Sequence, residues 1–114
     1  MLNLEHEAIA GGGRALRLSG ALGIATAAQA REQLLQALSA APAGPVHLDT
    51  VGLGEVDSAG VQLLLATARQ LAREGRPATA GRPAEPLARV AQALGVGDDA
   101  QCCGFAITAT ETAA

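Results

Sequence analysis

Three carboxylates and a serine lie within one short segment of this chain and are the residues best suited to chemistry. They are Asp49, Glu55, Asp57 and Ser58. Clustered carboxylates bind a divalent cation or act as an acid and base pair. Acids just before a helix also stabilise its positive N-terminal end without any chemistry, and the sequence favours this second interpretation.

Ser58 lacks the sequence context of a catalytic nucleophile. The only histidines are His6 and His47, and neither is placed near the serine by any motif. The serine also lacks the flanking glycines of a nucleophile elbow. We therefore predict no serine hydrolase activity.

Cofactor motifs are incomplete as well. Gly52-Leu53-Gly54 has Asp57 where a dinucleotide-binding loop needs its third glycine. The chain has eight arginines and no lysine, which excludes a phosphate-loop lysine and a Schiff base. Cys102 and Cys103 are adjacent and have no partner pair that would complete a zinc site. The sequence predicts no enzyme, no cofactor and no metal.

The amino-acid composition restricts the classes of partner that this chain can bind. The chain of 114 residues carries a net charge of −3, and Phe105 is its only aromatic residue, so nucleic acid is an unsuitable ligand. Arg69, Arg73 and Arg76 flank Glu74 and are interpreted as a solvated helix face. With no long apolar run and no basic leader, we expect a cytoplasmic protein that does not insert into a membrane.

The elements that would position the acidic segment follow from periodicity and capping signals. Thr26 and Gln29 have the spacing of a capping box, and Ser58 is the predicted N-cap of the best-defined helix, which ends at Gly75. Cys102 and Cys103 are expected to point to opposite faces of the last strand, one into the core and one outward. Strands are predicted at 2–10, 14–20, 46–51, 77–82 and 101–108, helices at 27–40, 58–74 and 86–94, a loop at 52–57 and a frayed tail at 109–114.

The order β-β-α-β-α-β-α-β predicts one α/β domain over residues 1–114, with a core at about 14–108 and helices packed on a mixed sheet. Helical geometry places Leu63 away from the buried stripe of its helix, beside Ala59 and Ala66. An apolar surface of this kind is suited to docking a protein.

The segment from Val46 to Leu65 resembles the signature of STAS domains, the family of anti-sigma factor antagonists and their relatives. In the family pattern a strand ends in an Asp, here Asp49, and an Asp-Ser/Thr-x-Gly motif opens an apolar helix, here Asp57-Ser58-Ala59-Gly60. The resemblance covers about residues 14–108.

The resemblance implies a regulatory protein-binding module in a partner-switching pathway of the chemotaxis or two-component kind. Its partner would be an anti-sigma or serine/histidine kinase-like protein that phosphorylates Ser58. A phosphate there would lie at a helix N-terminus, where free N–H groups favour anions. We expect a monomer or weak dimer. The predicted partner-binding residues are Asp57, Ala59, Gly60, Leu63 and Ala66, with Asp49 and Glu55 as the acids of the switch loop.

The sequence is also similar to the small cytoplasmic STAS subunits of lipid-trafficking ABC transporters. In that case the domain would clamp an ATPase permanently, and Ser58 would serve only as a helix cap.

Overall fold

The computed structural model describes residues 1–108, and the predicted frayed tail at 109–114 lies outside this range. The elements, in chain order, are β1 (Leu2–Ile9), β2 (Gly13–Leu22), α1 (Ala27–Ala40), β3 (Val46–Val56), α2 (Ser58–Arg73), β4 (Ala78–Ala80), α3 (Glu85–Ala93), β5 (Gln101–Cys102) and β6 (Phe105–Ile107).

The six strands form one mixed sheet in the order β1-β2-β3-β4-β6-β5. β1 is antiparallel to β2, and β2, β3, β4 and β6 run parallel because a helix returns the chain between them. The predicted α/β fold with helices on a mixed sheet is confirmed. Leu16, Leu18, Val46, Leu48 and Phe105 are buried in one core shared by sheet and helices.

β3 extends to Val56, so the prediction of a loop at 52–57 is wrong. The pairing of β2 with β3 shifts register twice, between Arg17 and Ser19 and again between Gly20 and Ala21. Bulges of this kind bend a strand without ending it. Gly52 serves one of them, because a Cβ there would lie 2.7 Å from the Ser19 Cβ. The glycines of β3 therefore mark bulges within the strand, and β3 continues to the start of α2.

The single strand predicted at 101–108 is instead a short hairpin of β5 and β6. Cys103 and Gly104 form its two-residue turn with φ of 54° and 87°, the positive values that tight hairpin turns require. The turn brings both Cys102 and Cys103 into the core, so the prediction of one outward thiol is wrong. Their Sγ atoms lie 3.8 Å apart, and the Cys102 hydrogen bond and burial raise the pKa of the Cys103 thiol.

The end of α2 is as predicted, and its start differs from the prediction only in the cap. Gly75 has a φ of 69°, and the Arg76 N–H bonds back to the Leu71 carbonyl, which is the Schellman arrangement. The capping box predicted at Thr26 is wrong. The Thr26 hydroxyl donates to the Ala21 carbonyl and accepts from the Gly23 N–H, so it orders the loop before α1.

Arg76 is 7% exposed, so its assignment to a solvated face is also wrong. Its guanidinium donates to the Gly44 and Ala41 carbonyls at 2.8 and 2.6 Å and closes the end of α1 onto the end of α2.

Replacing Arg76 should therefore destabilise the domain. Arg76→Met leaves two carbonyls without their charged donor, and we expect a loss of about 2 kcal/mol or more in the free energy of unfolding by urea. Arg69→Met, an exposed site on the same helix, is the matched control and should change it by less than about 0.5 kcal/mol. Equal stability of the two variants would contradict the role of Arg76.

Candidate functional site

The N-terminus of α2 is capped by Asp57, and Ser58 is the first helical residue. Asp57 Oδ1 accepts the Ala59 and Gly60 N–H groups at 2.9 and 3.2 Å. The prediction that Ser58 is the N-cap is wrong by one residue. The difference matters because the hydroxyl of Ser58, if it were the N-cap, would be engaged in hydrogen bonds with backbone N–H groups of the first helical turn.

The Asp57 carboxylate also holds the loop between β2 and α1. Its Oδ2 accepts the Ile24 N–H at 2.9 Å, and Gly23 lies so close that a Cβ there would meet Oδ2 at 2.6 Å. The hydrogen bond from Ile24, helped by those from Gly60 and Ala59, lowers the pKa of Asp57, although desolvation opposes the shift. One side chain thus orders both sides of the site.

Ser58 is exposed beside this clamp. Within residues 1–108 its hydroxyl has no hydrogen-bond partner, since the N–H groups it would cap are bonded to Asp57. A free hydroxyl on a fixed first turn is accessible to a modifying enzyme.

Gly60 fixes how closely the helix approaches the sheet. A Cβ at this position would lie 2.4 Å from the Leu22 carbonyl oxygen, which itself accepts the Asp57 N–H at 3.2 Å. Gly60 is buried and offers no surface to a partner, so its placement in the predicted docking surface is wrong. Its part in the site is to let α2 start against β2.

The remaining predicted contact residues follow the outer side of α2. Ala59 and Leu63 are half-buried and Ala66 is exposed. Leu63 is not a lone exposed leucine, because it also packs against the core. These three residues lead from Ser58 along the helix.

A sequence model described as "Mlab, STAS domain" matches residues 6–105. The chain belongs to the STAS domain family. Two solved structures share its fold. The anti-sigma factor antagonist SpoIIAA in its unphosphorylated form is 21% identical with a TM-score of 0.67, over 97% of this chain and 93% of that one. A candidate anti-sigma factor antagonist from Thermotoga maritima is 14% identical with a TM-score of 0.75, over 96% and 91% of the two chains. Among curated proteins, no sequence matches.

In this STAS domain the three acids predicted as a cluster are not brought together. Asp49 lies in the middle of β3, where its carboxylate pairs with Arg17 at 3.5 Å and accepts the Val51 N–H. The eight steps along the extended chain from Asp49 to Asp57 span roughly 25 Å. No group of three metal-ligating side chains occurs within residues 1–108. Glu55 and Asp57 stay near Ser58 and make its surroundings acidic.

Ile24 is the site residue that sequence reasoning missed. It is 80% exposed and lies on the loop that Asp57 holds, so an apolar side chain lies near the N-terminus of α2. Its neighbours, residues 21–26 and 55–57, line a shallow depression of about 200 Å³. An isoleucine between Gly23 and Ala25 has no periodic pattern, and only the tertiary hydrogen bond to Asp57 places it here.

Within the described part of the STAS domain, no helix is both long and apolar enough to cross a membrane.

The Asp57 clamp predicts a pH dependence of stability. Because the folded-state pKa lies below the unfolded value of about 3.9, the ionised carboxylate stabilises the folded state above that pH, and this contribution is lost as the pH falls through the folded-state pKa. Urea unfolding of wild type and Asp57→Asn should show wild type more stable at neutral pH. The difference in the free energy of unfolding between the two proteins should disappear at acid pH.

Glu55→Gln is the matched control, because the Glu55 side chain is exposed and makes no hydrogen bond or ion pair within residues 1–108. The difference in the free energy of unfolding between wild type and Glu55→Gln should not disappear at acid pH in this way. A gap between wild type and Asp57→Asn that is the same at neutral and acid pH would contradict the charged clamp.

Proposed function

We propose that this STAS domain is a non-enzymatic regulatory module that binds a protein partner, and that phosphorylation of Ser58 controls the binding. The observation that carries the proposal is the exposed Ser58 hydroxyl, left without a partner within residues 1–108 because Asp57 caps the helix. A serine needed as a cap would lose its structural role on modification. Here the hydroxyl is available without that cost.

The charge distribution supports a switch that acts on the partner. Phosphorylation adds up to two negative charges beside Asp57 and Glu55. The Ala59 and Gly60 N–H groups are already bonded to Asp57. They would therefore not bind the phosphate, whereas the free N–H groups of an uncapped helix N-terminus would. The added charge would stay at the surface, where a partner that accepts the neutral serine meets it.

The docking surface that we propose consists of Ile24, Ser58, Ala59, Leu63 and Ala66. It joins an exposed apolar loop residue to the outer side of α2. A serine kinase, itself an anti-sigma factor or a kinase-like protein of a chemotaxis or two-component pathway in the cytoplasm, is the partner that fits this proposal.

Intact-mass spectrometry of the protein purified from its native cells tests the modification. A fraction carrying one phosphate, lost in Ser58→Ala, would support the proposal. A phosphate that persists in Ser58→Ala would place the modification elsewhere. Loss of partner capture in Leu63→Glu, with Gln92→Glu, exposed on α3 and outside the proposed surface, as control, tests the surface. Equal capture by both variants would contradict it.

A second candidate is the STAS subunit of a lipid-trafficking ABC transporter, and the name Mlab in the description of the matching family favours it. There the same end of α2 would hold an ATPase permanently. In that case a complex with the ATPase should form equally well with Ser58→Ala and wild type, and no phosphate should be found. Neighbouring genes separate the two candidates: permease and ATPase genes in one case, kinase genes in the other.

A further inference from the structure

A groove of about 490 Å³ lies between α1 and α2, away from the sheet. Its apolar surface is formed by Leu35 and Leu38 of α1 and by Leu63 and Ala66 of α2. Leu35 is 50% exposed and continues the apolar lining of the groove to the solvent. The groove therefore has an apolar stripe open to solvent.

The edges of this groove are positively charged in a chain that is acidic as a whole. Arg31, Arg73 and Arg76 line it together with one acid, Glu74, so its charge is +2 while the whole chain carries −3. Glu74 is already paired with Arg76 at 3.6 Å. Within residues 1–108, neither Arg31 nor Arg73 has a carboxylate partner, and the Arg73 guanidinium donates only to the Gln70 amide oxygen. Two cations are left to meet acids of another molecule.

The two cations lie at opposite ends of the groove. α1 and α2 each connect adjacent parallel strands, so the two helices run in the same direction. Arg31 is in the first turns of α1, while Arg73 is the last residue of α2. From Leu63 to Arg73 the helix advances about 15 Å, close to three turns. A ligand that meets both arginines must extend along the groove.

We propose that this groove binds an amphipathic helix of the partner protein, with an apolar stripe on the leucines and an Asp or Glu near each end. Helices that lie in apolar grooves use this pattern of anchors, and flanking charges set their orientation. The inference rests on the proposed function, because the groove adjoins the Ser58 surface through Leu63 and Ala66. It specifies the chemistry of what docks there.

A synthetic helical peptide tests the groove without the native partner. Its leucines are spaced three and four residues apart, with glutamates at both ends of the stripe, and a twin carries lysine for each glutamate. Calorimetry with wild type should show the glutamate peptide binding at least about tenfold more tightly than the lysine twin, with the difference falling as salt is added.

Single substitutions locate the site. Arg31→Glu and Arg73→Glu should each weaken the glutamate peptide and strengthen the lysine twin, and Leu35→Glu should abolish binding of the glutamate peptide. Arg69→Glu, exposed on α2 but outside the groove, is the matched control and should bind as wild type does. Amide NMR shifts on adding the glutamate peptide should centre on Leu35, Leu38 and Leu63.

Equal affinity for the two peptides, binding of neither, or self-association of the chain through Leu35 would overturn the proposal. The outcomes stay separate from those for Ser58. Ser58→Ala should bind the glutamate peptide as wild type does, so failure of the peptide leaves the phosphorylation proposal standing. Loss of phosphorylation, in turn, leaves peptide binding unchanged.

Discussion

Gly60→Ala should destabilise this domain by about 1–3 kcal/mol, a large loss for a single methyl group at the start of a helix. The added Cβ would meet the Leu22 carbonyl oxygen at 2.4 Å and its carbon at 2.9 Å. Both are backbone atoms of a central strand and do not rotate away. The first turn of α2 must therefore move from β2, which strains the Asp57 N–H bond to the same carbonyl.

Gly54→Ala is the matched control for this substitution. Gly54 lies on the neighbouring stretch of β3, and a Cβ there would find nothing closer than the Gly20 oxygen at 4.0 Å. Its free energy of unfolding should stay within about 0.5 kcal/mol of wild type. Urea unfolding of the two variants gives the comparison, and similar stabilities would contradict the close approach at Gly60.

The same substitution has a consequence for function. Ser58 and Ala59 are fixed by the turn that Gly60 allows, and Asp57 holds Ile24 only while its carboxylate faces the loop. Gly60→Ala should therefore weaken partner binding even where the protein remains folded. Glycine in this motif serves the geometry of the surface and is not part of it.

The sequence predicted well what depends on periodicity. The buried stripe of α2 includes Val61, Leu64 and Leu71, and each repeats at helical spacing, so the helix and its outer side followed from the sequence. Gly75 and the end of the helix followed from local backbone rules. These features need no knowledge of distant residues.

The features that were wrong depend on contacts between distant residues. Asp57 and Ser58 are both good N-caps, and the choice between them depends on the Ile24 N–H and on Leu22, which lie more than thirty residues earlier. The sequence around Arg76 predicts a surface residue, and only the hydrogen bonds to the Gly44 and Ala41 carbonyls explain why its side chain is buried. At Gly52 the glycine marks a bulge beside Ser19, which sequence alone does not separate from a loop.

Introducing a negative charge at Ser58 should weaken partner binding by about tenfold or more, because like charges brought together in an interface cost several kcal/mol. Ser58→Glu supplies the charge, and Ser58→Gln supplies nearly the same volume without it. If the switch is electrostatic, the Gln variant should keep most of the affinity for the purified kinase partner while the Glu variant loses it. Equal losses would show that bulk alone blocks the surface.

The dependence of binding on salt concentration further separates an effect of charge at position 58 from an effect of side-chain bulk. The screening length falls to about 3 Å near 1 M salt, so repulsion at this exposed position should be largely removed and the Glu variant should regain affinity. A loss caused by bulk would persist. Thermal melting of both variants should match wild type closely, because Ser58 is exposed and its hydroxyl makes no hydrogen bond within residues 1–108. Retained stability with lost, salt-recoverable binding is the result that separates a charge switch from an unfolded first turn.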